Sequence, residues 1–250
     1  MTLEAANTYF RKAIATIEEV METQASALDQ AVEWIANSIK TDGVLHIFGA
    51  GHSHILAEEI FWRAGGLAPV NAILDINYTL MGGGPPMRGT KLERLEGYAK
   101  ILLDGYDLRP SEVLIVVSQS GINPGPIEAA MEAKSKGLRV VAITSLEQSS
   151  KAKSRHSSGK RLFEIADLAI DSCVPPGDAW VEIAPGMPKT SPLSTVIGAA
   201  ILQAVVAEVA NRLFQAGIEP PIWLSANVPG GDEYAMRLAA RFGGTRVKPF

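Results

Sequence analysis

Two short runs carry residues suited to holding an anion. Gly49-Ala50-Gly51-His52-Ser53-His54 follows the apolar stretch 44–48, and Ser118-Gln119-Ser120-Gly121 follows the β-branched stretch 113–117. Each precedes a helix-like segment. The first backbone N–H groups of a helix have no internal acceptor and point at the preceding turn. Serine hydroxyls add donors and glycine lets the backbone approach closely, so phosphate is the natural occupant. Ser53, Ser118, Gln119, Ser120 and Gly121 are therefore the expected ligands. Thr144 and Ser145, after a third apolar run, either line the same site or cap the next turn.

Groups able to move protons stand nearby. His52 and His54 lie in the first loop, and an imidazole there can open a sugar ring or polarise its carbonyl. Glu58 and Glu59 fall about 100° apart on a helix, so at most one faces the site; Glu59 is the candidate base. It would pass a proton between C2 and C1 through an enediol without a metal, most effectively if burial raised its pKa. His156, a further candidate for the acid/base pair, belongs to the basic cluster Lys151, Lys153, Arg155, Lys160 and Arg161, which is either a solvated face or a flap over an anionic ligand. His46 within a strand, Asn123 in a turn and Cys173 in an apolar run read as structural.

The elements that must position these groups alternate. Apolar spacing predicts helices over about 3–22 and up to 40, then strands at 44–48, 67–74, 113–117, 138–143 and 168–174. Helices are expected at 55–64, 90–103, 125–136, 159–166 with Ser158 as its cap, and from 191 to about 216. Residues 81–89 form a Gly/Pro loop, a candidate lid or connector. Strand–helix alternation predicts a doubly wound α/β fold, with helices on both faces of a mainly five-stranded parallel sheet. In such sheets the ligand lies beyond the carboxyl ends of the strands, where the polar loops fall. One domain spans 1–250: N-terminal helices over 3–40, a core over about 25–216 and a helical extension over 217–250.

Composition narrows the function. Lys plus Arg is 23 and Asp plus Glu is 27, a net charge of −4 that gives no basic face for nucleic acid. One cysteine cannot form an internal disulfide, which fits a reducing compartment. Charged residues in the first twenty positions mean that no apolar leader is expected there. The most apolar run, 196–207, is interrupted by Gln203 and stopped by Glu208. No membrane association is expected, and the expected location is the cytoplasm. The G-x-G-x-x-G dinucleotide pattern breaks at His54, although Asp75 mimics its acid, and no Walker lysine occurs. No metal or cofactor is expected.

The hydroxyl-bearing strand ends resemble the SIS (sugar isomerase) domain family. Ser118-Gln119-Ser120-Gly121-Ile122-Asn123 is similar to the S-Q-S-G-E-T turn of its amino-sugar phosphate synthases. Gly49-Ala50-Gly51-His52-Ser53 is similar to the G-x-G-x-S loop of its pentose-phosphate isomerases, and Ser194-Thr195 to their late helix start. The sequences HSSGKRL at 156–162 and SAN at 225–227 resemble bacterial SIS proteins labelled sugar isomerases. The resemblance implies a flavodoxin-like fold, a phosphosugar ligand, a homodimer or homotetramer and an aldose–ketose isomerase. The alternatives are a non-catalytic phosphosugar sensor and an amino-sugar-phosphate deaminase or lyase. The last long helix has no histidine where phosphoheptose isomerases carry one. The two glutamates of the muramic acid phosphate etherases would fall on Arg63 and Ala99, which speaks against that activity.

Overall fold

The computed structural model describes residues 3–79, 85, 87–244 and 246–248. Its centre is a five-stranded sheet: β1 Leu45–Gly49, β2 Val70–Ile73, β3 Val113–Val117, β4 Arg139–Thr144 and β5 Leu168–Asp171. The spatial order is β2-β1-β3-β4-β5 and every pairing is parallel. Leu45 lies opposite Val70 and Val113, and Val113 opposite Arg139. This is the flavodoxin-like order, in which the chain changes winding direction between β1 and β3 and opens a crevice at their carboxyl ends.

β1, β2 and β3 are buried along their whole length because helices cover both faces. Alternation along β3 divides its side chains. Val113, Ile115 and Val117 pack with α1 Glu4–Thr23, α2 Ala25–Lys40, α3 Ser53–Glu59 and α9 Ser194–Gln215, while Leu114 and Val116 face α5 Tyr98–Leu103 and α6 Pro124–Ser135. α9 is long and apolar enough to cross a membrane by composition. Its Ile197, Ile201, Val205, Val209 and Leu213 are instead buried in the core. The remaining helices are α4 Met87–Glu93, α7 Leu146–Lys151, α8 Leu162–Ile165 and α10 Gly231–Phe242; a small hairpin pairs β6 Ala179–Val181 with β7 Thr190–Pro192.

Several boundaries differ from the periodicity. The helix expected over 55–64 ends at Glu59, after which Trp62 adopts φ 44°. The helix expected over 90–103 divides into α4 and α5 around Gly97 at φ 87°. α8 starts at Leu162 with Arg161 as its N-cap, whose N–H donates to Glu164 Oε2 at 2.8 Å; Ser158 accepts from Lys160 N instead of capping the helix. Most of the candidate lid at 81–89 lies outside the described residues.

A buried polar network closes the amino ends of the strands. Asn71 Nδ2 donates to His46 Nδ1 at 3.0 Å, leaving Nε2–H to donate to Glu112 Oε2 at 2.8 Å. Glu112 also accepts from Val44 N, Arg109 N and the Arg246 guanidinium. Lys248 N donates to Asn71 Oδ1, so the network ties residues 246–248 to the sheet. Burial raises the Glu112 carboxyl, but the hydrogen bond from His46, with the Arg109 N–H and the Arg246 charge, outweighs it and holds the group below its usual range.

Candidate functional site

The site begins with two turns at the switch point. After β1, a Cβ on Gly49 would stand 2.2 Å from Ser53 O, so only glycine lets the chain fold back and start α3 at Ser53. After β3, Ser118 N donates to Ile143 O at 3.0 Å and Ser118 Oγ accepts from Gly121 N at 3.2 Å. Gly121 has φ 61°, and a Cβ there would meet Ser149 Oγ at 2.9 Å and Thr144 Oγ1 at 3.0 Å. The turn can thus press on β4 only with glycine at its corner.

Gln119 joins this turn to β5. Its backbone oxygen accepts from Ser145 N and Thr144 Oγ1, its Nε2 donates to Val174 O at 3.4 Å, and its Oε1 accepts from Ser172 Oγ at 3.2 Å. The N–H groups of Gln119, Ser120 and Ile122 have no acceptor among the described residues. α6 starts at Asn123 without a side-chain cap, and Pro124 and Pro126 bring no N–H. Beyond these loop amides, the first turn of α6 leaves the Gly125 N–H without an acceptor among the described residues.

Ser53, Gln119, Ser172, Ser194 and Thr195 line one cavity with Leu56, Val117, Ile143 and Gly198. Its volume is ≈ 10 Å³, space for a single water, so a phosphate enters only if α3 and α9 part. The α9 side is already capped: Asp178 accepts from Leu193 N at 2.9 Å, Ser194 N at 2.7 Å and Ser194 Oγ at 2.7 Å. Because that carboxylate answers the α9 dipole, the charge of an anion has to be met by the β3 turn.

The expected residues separate into groups. Ser53 and Gln119 meet at the cavity, and Ser120 is half-buried in the same turn with no hydrogen bond from its hydroxyl among the described residues. Ser118 spends its hydroxyl within the turn. Thr144 and Ser145 are fully buried and brace the turn from beneath; Ser145 Oγ donates to Val174 O at 2.7 Å and accepts from Gln148 N. Ser172 carries the same signature as Ser118, a hydroxyl directly after an apolar strand, and was not singled out above.

His52 is exposed at the start of α3. His54 is buried: Asp75 N–H donates to its Nε2 at 3.2 Å, so Nδ1–H donates to Glu58 Oε1 at 2.8 Å and both nitrogens are engaged. Glu59, one turn beyond Leu56, accepts from Arg63 and from Gln203 Nε2 at 3.2 Å. The segment at 152–161, here called the flap, is pinned to the turn after β3, while its Lys153, Arg155 and Lys160 are exposed. Arg155 N donates to Ile122 O at 2.9 Å, Leu162 N to Gly121 O at 2.8 Å, and Arg155 Nη1 to Asn123 Oδ1 at 2.8 Å. His156 lies in that flap, away from the lining of the cavity. Asn123 Nδ2 donates to Glu93 Oε1 at 2.9 Å, and burial, partly offset by this bond and by Arg94 and Arg155, raises the Glu93 carboxyl. Cys173 is half-buried, its thiol pushed up by burial, as suits an inert thiol.

Comparison with known proteins places this arrangement. A model of the SIS domain matches residues 8–145. A UPF0309 protein of Caldanaerobacter subterraneus subsp. tengcongensis is 43% identical over 237 residues, covering 94% of this chain and 96% of its own length. A UPF0309 protein of Halalkalibacterium halodurans is 42% identical over 234 residues, covering 94% and 93%. Among solved structures, a phosphoheptose isomerase from Francisella tularensis superposes with a TM-score of 0.54 at 18% identity, covering 84% of this chain and 99% of that one. A phosphoheptose isomerase from Neisseria gonorrhoeae gives 0.54 at 18%, covering 83% and 98%. The two solved structures share the fold; the sequence match over more than half its length shows that this chain belongs to the SIS-domain family.

Proposed function

We propose that the chain binds the phosphate of a phosphosugar at the β1/β3 crevice and interconverts its aldose and ketose forms. The observation that carries this reading is the meeting of Ser53 and Gln119 at one cavity, beside a turn with three unengaged amides. Phosphate binding energy would hold C1 and C2 against an acid/base pair. His52 is the expected imidazole, since His54 is committed on both nitrogens. Glu59 is the expected base, with Glu93 as its rival because burial raises that carboxyl above its ordinary range. The test is turnover of hexose, heptose and amino-sugar phosphates, with solvent deuterium entering at C2. Glu59→Gln is expected to spare binding and abolish turnover; retained turnover moves the role to Glu93. The alternative, a phosphosugar sensor, predicts binding without deuterium exchange. Ammonia release would indicate a deaminase instead.

We further propose a homodimer joined through α1. The helix buries Ala13, Thr16 and Val20, yet Phe10, Ile14 and Met21 are exposed on another stripe, with Ile17 half-buried. Residues 10, 14, 17 and 21 repeat at coiled-coil spacing. Antiparallel pairing sets Phe10 against Met21 of the partner subunit and Ile14 against Ile17 of the partner subunit. The same register sets Arg11 beside Glu18 of the partner subunit, and the symmetric pair repeats it, so both the apolar and the charged rows are self-complementary.

A further inference from the structure

Glu96, Glu128 and His156 each bring one ligand atom within 4.8 Å of the other two. They come from three segments: the turn between α4 and α5, the body of α6, and the flap. Each is oriented by a hydrogen bond from one of the other two segments or from its own. Ser157 donates to Glu96 from N at 2.6 Å and from Oγ at 2.7 Å, and Gly97 N donates to Glu128 Oε1 at 2.6 Å. Ser158 Oγ lies 2.8 Å from His156 Nδ1. Hydrogen bonds to ligand side chains are what a metal centre uses to orient its donors.

Two features are left unexplained by the protein's own bonds. The His156 side chain is 9% exposed, and its Nε2 makes no hydrogen bond and stops 3.7 Å from Glu128 Oε1. Glu128 Oε2 is buried with no partner among the described residues. Two carboxylates this close repel, and a buried acceptor without a donor is costly. A cation among the three groups gives His156 Nε2 a partner and offsets the repulsion between the two carboxylates.

We propose that Glu96, Glu128 and His156 bind one divalent cation of the zinc, manganese or cobalt kind. One imidazole nitrogen with two carboxylate oxygens suits these borderline ions better than magnesium or calcium, which take oxygen alone. Ligands of a tetrahedral ion stand roughly 3.4 Å apart at bond lengths of ~2.1 Å, so the cluster has to close by about 1.4 Å at its widest. Glu96 is exposed and supplies that movement. Coordination through Nε2 needs the proton on Nδ1, where Ser158 Oγ accepts it; the Ser158 N–H bond to Nδ1, 3.1 Å, is given up. The ion then fixes the flap to α6, and through Arg155 N to the Ile122 end of the donor turn.

The test uses untagged full-length protein stripped with chelator. Zn²⁺ is titrated by calorimetry, and Co²⁺ binding is followed by visible absorption. One equivalent is expected, with cobalt bands of a site containing nitrogen. Glu96→Gln is expected to weaken binding at least tenfold and His156→Ala about a hundredfold. Should His156→Ala fold poorly, the exposed Glu96→Gln variant and the wild-type cobalt spectrum decide. No stoichiometric binding, or variants that bind as tightly as the wild type, overturns the proposal. The outcome is independent of phosphosugar binding, which is read without added metal.

Discussion

At the scale of single residues, the same side-chain types do opposite jobs according to what they touch. Ser53 and Ser145 are both hydroxyls at strand ends, but Ser145 is saturated by Val174 O and Gln148 N while Ser53 faces the cavity. Ser53→Ala is therefore expected to weaken phosphosugar binding by ~1–3 kcal/mol, the penalty for leaving a charged partner short of a donor; calorimetric titration reads it. Ser145→Ala is expected to lower thermal stability instead. Glu112 gives a prediction with a pH sign. Its folded-state pKa lies below the unfolded value, so its stabilisation is present above ~4.3, the ordinary glutamate value, and is lost as pH falls through the folded-state pKa. Glu112→Gln should cost on the order of 3 kcal/mol at pH 7, with the gap to the wild type narrowing in acid. Urea unfolding at several pH values measures both.

At the scale of elements, local pattern and long-range contact divide what sequence can reveal. The strands were legible because Val113–Val117 must be apolar on both faces, and the glycine turns because only those residues fit the backbone there. The division of 90–103 was not legible: Gly97 is held by Glu128, thirty-one residues away. His54 is a similar case, since its commitment to Asp75 N appears only once β2 lies beside β1. The cluster of Glu96, Glu128 and His156 is assembled from three distant segments and leaves no spacing to detect. Gly121→Ala tests the turn as an element. With φ 61° and Thr144 and Ser149 within 3.0 Å of the added carbon, it should destabilise the protein by about 1–3 kcal/mol and weaken ligand binding together. Unchanged stability would mean that the turn is less constrained than its packing implies. For α1, Ile14→Glu should convert a dimer to a monomer in sedimentation velocity with little loss of helix content. A wild-type monomer at the same concentration would remove the α1 seam as an interface.

At the scale of the whole molecule, the sheet separates stability from ligand capture. The amino ends carry the His46–Glu112–Arg246 network that anchors the tail, and the carboxyl ends carry the unengaged amides and the cavity. α3 and α9 line that cavity, so opening it is a movement of these two helices over the sheet. The most direct test of the account is a phosphorus NMR titration of the wild type and of Ser53→Ala and Gln119→Ala with hexose, heptose and amino-sugar phosphates. At least one sugar should show a saturable shift or broadening of its phosphate resonance, weakened in both variants. No perturbation by any of them, or one equally strong in both variants, would contradict capture of the phosphate between β1 and β3.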